Sequence, residues 1–167
     1  MIQKRTTQGV YFALTAYVFW GLVPVYFKWV DHVSPWEILA HRVVWALVLL
    51  ICILAYTGEL KELKVPVEKL PKLFLTAMLL TINWLVFIYA VVNQNITETS
   101  LGYFINPLVS VFLAVIFLKE SLRPLQWIAI AVAGTGIAIQ LMLFGHIPWF
   151  ALALAFSFGF YGLLRKN

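Results

Sequence analysis

Six long apolar runs occupy most of the 167-residue chain and limit what it can fold into. A helix needs about 20 apolar residues to cross a bilayer core of about 30 Å. Helices satisfy their own backbone hydrogen bonds in lipid, whereas a β-barrel would show short alternating strands. The sequence therefore predicts an all-α polytopic membrane protein with six transmembrane helices. The runs cover residues 10–26, 38–56, 73–92, 101–118, 125–144 and 147–164.

The composition supports a chain that is covered by lipid. Hydrophobic residues make up 63% of the sequence and charged residues only 11%, whereas a water-soluble surface needs about 25–35% charged residues. The 12 basic residues outnumber the 7 acidic ones, but they fall in short clusters between the runs. Such clusters are typical of membrane topology, so we expect a lipid bilayer and no nucleic acid as a partner.

The basic residues also predict an orientation. Successive connections alternate between many and few Lys and Arg residues, and the two sets sum to ten against one when Arg42, inside a run, is set aside. The basic side of a membrane protein faces the cytoplasm. We therefore expect a multi-pass protein of the cell inner (cytoplasmic) membrane with both termini in the cytoplasm.

A short internal match suggests a repeat. Residues 19–23 (FWGLV) near the end of the first run correspond to residues 160–164 (FYGLL) near the end of the sixth. The first and sixth runs are five spans apart, and an odd offset means that the two copies cross the membrane in opposite directions. Inverted repeats of this kind build many transporters, although five residues in so aromatic a chain also recur by chance.

Several longer segments carry a resemblance to a known family. The segments Ala16 to Lys28, Ser34 to Ala46, Asn83 to Ala90 and Glu98 to Leu122, with the closing SFGFYGLLRK, resemble the RarD group of EamA-type permeases in the drug/metabolite transporter superfamily. The resemblance implies ten helices in two five-helix inverted repeats. By it, residues 9–144 form the first five-helix repeat, and residues 147–164 form the first helix of an inverted, truncated second repeat.

The resemblance further implies a permease that moves a small organic metabolite or drug, with neither the direction nor the coupling ion specified. Because most of the second repeat is lacking, we expect transport to be incomplete in this chain unless copies self-associate. The alternative is a membrane packing partner without transport, or an inactive truncated fragment.

Polar residues at the start of the second run are the first site candidates. An intramembrane charge is costly and is a functional hypothesis by default, so Arg42, beside His41 and Glu37, is predicted to meet a polar or anionic group of the solute. Snorkelling of Arg42 to the interface is the alternative. Residues 34–37 (SPWE) also have the pattern of a capping box, in which Glu37 would hold the helix start.

A second group of candidates lies in the third and fourth runs. Pro107 after Asn106 frees a carbonyl near Tyr103 at membrane depth, which suits either a solute cavity or an ordinary kink. Asn83 and Trp84 pair an amide with an indole that could stack on an organic solute. Hydrogen bonding and packing between helices is the alternative for that pair.

Enzymatic chemistry is not indicated. The sequence has no HExxH zinc helix, no GxSxG elbow and no glycine-rich phosphate loop. We therefore expect a non-enzyme with no catalytic residues, no metal and no cofactor. Small residues at four-residue spacing in the fifth and sixth runs indicate close helix packing, within the chain or between copies.

The orientation can be tested by cysteine labelling in a Cys52→Ser background. A thiol placed at Gln94 is expected to react with an impermeant reagent added outside intact cells, and a thiol at Lys64 is expected not to react until the cells are opened. External labelling at Lys64 would show that the orientation is reversed.

Overall fold

The structure is a computed structural model that describes residues 2–166, with side chains for residues 8–61 and 63–166. The side chains of Lys4 and Arg5, which count toward the predicted orientation, and the terminal residues Met1 and Asn167 lie outside what is described. Within these bounds every regular element is helical. The helices are α1 (Ile2–Trp29), α2 (Pro35–Thr57), α3 (Leu70–Val92), α4 (Ile96–Phe117), α5 (Pro124–Phe144) and α6 (Trp149–Lys166), with 3₁₀ turns at Leu60–Leu63 and Val67–Lys69 between α2 and α3.

The predicted all-α membrane fold is confirmed. In the described part of the chain five helical segments are long and apolar enough to cross a bilayer: Gln8–Trp29, Pro35–Thr57, Val67–Val92, Ile96–Phe117 and Pro124–Phe144. The sixth run also forms a helix, but α6 is shifted toward the C-terminus of the predicted run and has only 18 residues. Its last turn carries two charged residues, Arg165 and Lys166.

The closest helix packing is between α4 and α6. A Cβ atom built on Gly102 of α4 would lie 3.1 Å from the backbone oxygen of Ala151, and one built on Gly159 of α6 would lie 2.9 Å from Val109 Cγ1. Ala155 and Ala151, one and two turns before Gly159, are fully buried. The predicted small-residue face of α6 therefore packs within the chain, against α4.

Contacts at both ends show that α4 and α6 run parallel. At one end the backbone N–H of Phe150 donates to Glu98 Oε2, with 3.0 Å between the two atoms. At the other end the Lys166 ammonium pairs with the Glu120 carboxylate. Short connections join α4 to α5 and α5 to α6. Because α5 returns across the membrane between them, α4 and α6 cross in the same direction.

A second core joins the C-terminal ends of α1 and α3 to the N-terminal end of α2 and reaches Leu154 of α6. It contains Phe27 of α1, the fully buried Ile88 and Val91 of α3, and Ile38, Leu39, Phe87 and Leu154. Because α3 packs against α1, α2, α4 and α6, it is the central helix of the bundle.

The fifth helix packs least. Among the described side chains none on α5 is buried, and a Cβ atom on Gly136 would meet nothing within 4 Å. The small-residue faces predicted on α5 are therefore not used for close packing inside the chain.

The α4–α6 contact gives a stability prediction. Gly102→Ile is expected to lower the free energy of unfolding by about 1–3 kcal/mol, because the new side chain would overlap the backbone of α6. Gly136→Ile is the matched control, since it adds the same side chain to an open helix face. Denaturation in detergent micelles measures both, and equal stability of the two variants would contradict the prediction.

Candidate functional site

Aromatic side chains from three helices meet around Trp84 of α3. The Arg42 guanidinium carbon of α2 lies 3.2 Å from the centre of the Trp84 ring. Trp20 of α1 lies 5.5 Å from Trp84 between ring centres, and Phe87 lies 5.8 Å away. Phe87 in turn is 6.1 Å from Tyr103 of α4. The predicted Arg42, Trp84 and Tyr103 are thus joined in one cluster.

Two spaces adjoin this cluster. A cavity of about 190 Å³ lies beside Trp84, and a groove of about 660 Å³ lies between α1 and α2. Trp20 lines both, so the Trp20–Trp84 pair stands between them. The cavity is lined by Trp20, Asn83, Trp84, Gly102, Tyr103, Asn106, Leu154 and Phe158. The groove is lined mostly by apolar and aromatic side chains of α1 and α2, together with the basic side chains of His41 and Arg42.

The environment of Arg42 is energetically unusual. Its Cα lies about 10 Å along the axis from the start of α2. A charged side chain within a membrane helix is costly, and a cation–π contact at an exposed site returns about 0.5–1 kcal/mol. Among the described side chains no carboxylate lies within 4.0 Å of Arg42. Arg42 is thus an exposed cation that stacks on Trp84 and has no ionic partner among the described side chains.

Asn83 bridges α3 and α6. Its Nδ2 donates to the backbone oxygen of Leu154 over 3.0 Å and to Ser157 Oγ over 2.9 Å. The interhelical hydrogen bonding that the sequence left open is therefore present. The amide also lines the cavity, but its two N–H donors are already used to hold α6.

The Asn106–Pro107 pair does not break its helix. Helix α4 runs without interruption from Ile96 to Phe117 with Pro107 inside it. Asn106 Oδ1 accepts a hydrogen bond from Ser110 Oγ over 3.3 Å, and Asn106 lines the cavity whereas Pro107 does not. The geometry corresponds to a proline accommodated within a helix, with Tyr103 and Asn106 on its cavity side.

The start of α2 differs from the predicted capping box. The helix begins at Pro35 after Ser34, as the pattern indicates, but Ser34 makes no side-chain cap hydrogen bond. The proline at the first helical position removes one of the N–H groups that a cap would serve. Glu37 lines neither space, whereas His41 lies in the groove with Arg42.

Sequence reasoning missed Glu98 as an individual polar residue. It lies in the first turn of α4, is 7% exposed, and accepts the hydrogen bond from the Phe150 N–H in the first turn of α6. The positive ends of two helix dipoles therefore meet at one carboxylate, which stabilises its negative charge. A carboxylate in the first turn of a helix was the available signal, but its partner is 52 residues away.

The described residues offer no evident metal site. Among them no group of three or more His, Cys, Asp or Glu side chains lies close enough to hold a metal ion. The polar groups at the cluster are instead a guanidinium, an imidazole, two amides and a phenol, which suit hydrogen bonding to an organic solute.

Comparison with known proteins identifies the family. The sequence profile of the EamA-like transporter family matches residues 7–142. The chain belongs to the EamA-like transporter family. It is 47% identical over 170 residues to Protein RarD of Salmonella typhi and 46% identical over 170 residues to Protein RarD of Escherichia coli K12, with the whole of this chain covered in both. It is 48% identical over 169 residues to an uncharacterized transporter of Vibrio cholerae, with 99% of this chain covered.

These alignments cover 58%, 57% and 56% of the three relatives, so the chain spans little more than half their length. No solved structure matches the chain. The resemblance to RarD-type EamA permeases is confirmed, and a non-enzyme agrees with relatives that are named as transporters. With its apolar helices, this family member is a multi-pass membrane protein.

The Glu98 contact gives a second stability prediction. Glu98→Ala is expected to lower the free energy of unfolding by about 1.5–3 kcal/mol, because it removes a hydrogen bond to a charged group. Glu98→Gln should lose less, since an amide oxygen can still accept from Phe150. Thermal unfolding and hydrogen exchange of the Phe150 amide in detergent measure the effect. Unchanged exchange in the alanine variant would contradict the assigned contact.

Proposed function

We propose that this family member provides the solute-binding part of a permease that moves a small organic metabolite or drug across the cytoplasmic membrane. The observation that carries the proposal is Arg42 stacked on Trp84, without an ionic partner among the described side chains, at the edge of the aromatic-lined groove between α1 and α2. A purely structural arginine at this depth would be costly to retain. Contact with the transported solute would explain why an arginine is present at this position.

The proposed solute path comprises residues from three helices, α2, α3 and α4. Arg42 and His41 contribute from the groove, and Trp84, Tyr103 and Asn106 contribute from the cavity. Asn83 and Pro107 belong to the supporting helices, and Glu37 is near the outer entrance. Aromatic walls with a few polar groups are typical of sites for small organic molecules.

We further propose that residues 9–144 are one five-helix repeat and that residues 147–164 are the first helix of an inverted second repeat. The FWGLV and FYGLL match supports this division, as does the opposite direction that α1 and α6 must have in an alternating bundle. The alternation of basic residues supports cytoplasmic termini.

The 167-residue polypeptide is proposed not to complete a transport cycle as a monomer. Alternating access moves one repeat against its inverted partner around a site between them. Tyr103, which lines the cavity, is 60% exposed, and the small-residue face of α5 is uncovered within the chain. Further helices, or a second copy of the chain, would cover both Tyr103 and the small-residue face of α5. The alternative function is a membrane packing partner, which the open face of α5 also favours.

Reconstitution into liposomes tests the transport proposal. The chain would be purified alone and together with the part of Escherichia coli RarD that it does not cover, and its oligomeric state would be determined by crosslinking. The liposomes would be offered a mixture of amino acids, carboxylic acids and nucleosides, and their contents measured by mass spectrometry. Uptake is expected with the complementing part or in a dimer, and not in a monomer.

The variants Arg42→Ala and Arg165→Ala form a matched pair for this assay. Loss of Arg42 should abolish uptake with normal insertion, whereas loss of Arg165, an exposed residue in the last turn of α6, should not. Uptake by a monomer would contradict the need for a partner. No uptake in any combination would favour the role of a membrane packing partner. Normal uptake by Arg42→Ala would favour the alternative that Arg42 only snorkels to the interface.

A further inference from the structure

We propose that the solute is an amphipathic organic monoanion, whose acidic group pairs with Arg42 while its apolar body lies against the aromatic side chains of the groove, among them Trp20 and Trp45. This inference rests on the proposed transport function and assigns the substrate class to the same site.

No carboxylate among the described side chains forms an ion pair with Arg42. Of the nearby acidic residues, Glu37 lies five positions before Arg42, which places it about 140° around the helix. Glu98 is already used by the Phe150 N–H. The ion pairs of the described side chains, Lys28 with Asp31 and Lys166 with Glu120, do not involve Arg42. We therefore infer that the anion that pairs with Arg42 is a solute and not a side chain of the described residues.

The stacked position of Arg42 suits an incoming acid. Contact with the Trp84 ring restrains the guanidinium but uses none of its hydrogen bonds, and among the described residues Arg42 donates to no acceptor. Its five N–H donors remain available, and two of them match the oxygens of a carboxylate in bidentate geometry. Arginine stacked on an aromatic ring is pre-organised for such a pair.

The groove limits the charge and shape of the anion. Arg42 is the one permanently charged residue in its lining, and the lining otherwise contains His41, Tyr26 and apolar or tryptophan side chains. One cation balances one negative charge, so a dianion such as a phosphate monoester would keep an uncompensated charge in an apolar space. An acid with a single charge and an apolar or aromatic body fits the groove, whose volume is about 660 Å³.

Matched acid and amide probes test the charge requirement. Binding of phenylacetate and phenylacetamide, and of indole-3-acetate and indole-3-acetamide, would be measured by calorimetry on the full chain in a maltoside detergent, which contains no phosphate. At least one acid is expected to bind about tenfold or more tightly than its amide, because a charge-assisted hydrogen bond is added. Equal affinity within both pairs, or no binding of either acid, would overturn the proposal.

Variants of Arg42 assign the effect to this residue. Arg42→Gln is expected to remove the preference for the acid, and Arg42→Lys to keep part of it, because lysine keeps the charge but loses the bidentate geometry. Arg165→Gln is the matched control and should leave the preference unchanged. Circular dichroism and gel filtration verify that each variant is folded. A preference that survives Arg42→Gln would overturn the proposal.

An acidic lipid could supply the same chemistry, so phosphatidylglycerol is titrated in parallel. Arg42-dependent binding of this lipid without binding of either soluble acid would make Arg42 a lipid contact and overturn the proposal. The reconstitution assay separates this inference from the transport proposal. Uptake of neutral solutes in preference to acids would leave transport standing and overturn the anion assignment. Arg42-dependent acid binding without uptake in any combination would support the anion assignment and contradict the transport proposal.

Discussion

The direct approach of α4 and α6 is the interaction on which the rest of the structure depends. In lipid, helices gain little by hiding apolar side chains from one another, so close packing at small residues has to hold them together. Gly102 and Gly159 permit this approach at two points along the same helix pair. Once α6 lies against α4, its Leu154 and Ser157 face Asn83 of α3, and its Phe158 closes one side of the cavity. The cavity therefore depends on the close approach of α6 to α4 that these two glycines permit.

Three polar side chains near the cavity and the groove are held in different ways. Asn83 uses its amide to join α3 to α6, and Glu98 uses its carboxylate to join α4 to α6. Both replace hydrogen bonds to water that a membrane helix cannot make. Arg42 differs, because its described contact is with the Trp84 ring and uses none of its hydrogen-bond donors. Structural roles account for Asn83 and Glu98, and Arg42 is the group for which we propose a ligand.

The sequence predicted the helices well and their mutual arrangement only in part. Apolar runs and charge clusters are strong local signals, so the helices and the isolated charge of Arg42 were expected. The outer face of a membrane bundle is as apolar as its inner face, so periodicity does not reveal which side of a helix packs. For that reason the small-residue pattern was correct for α6 and not for α5 inside the chain. The Glu98–Phe150 contact could not be predicted, because local patterns do not specify a partner on a distant helix.

The proposed inverted repeat gives a reason for the aromatic character of the site. If α6 is the inverted counterpart of α1, Tyr161 corresponds to Trp20. Trp20 lines the cavity directly, and Tyr161 packs against Phe158, which lines the same cavity, with 5.7 Å between their ring centres. Two copies of one aromatic motif would then approach a single space from opposed directions, as expected when a binding site lies between inverted repeats. In such an arrangement Arg42, which belongs to one repeat only, would distinguish the two sides of the site and fix the orientation in which a charged solute binds.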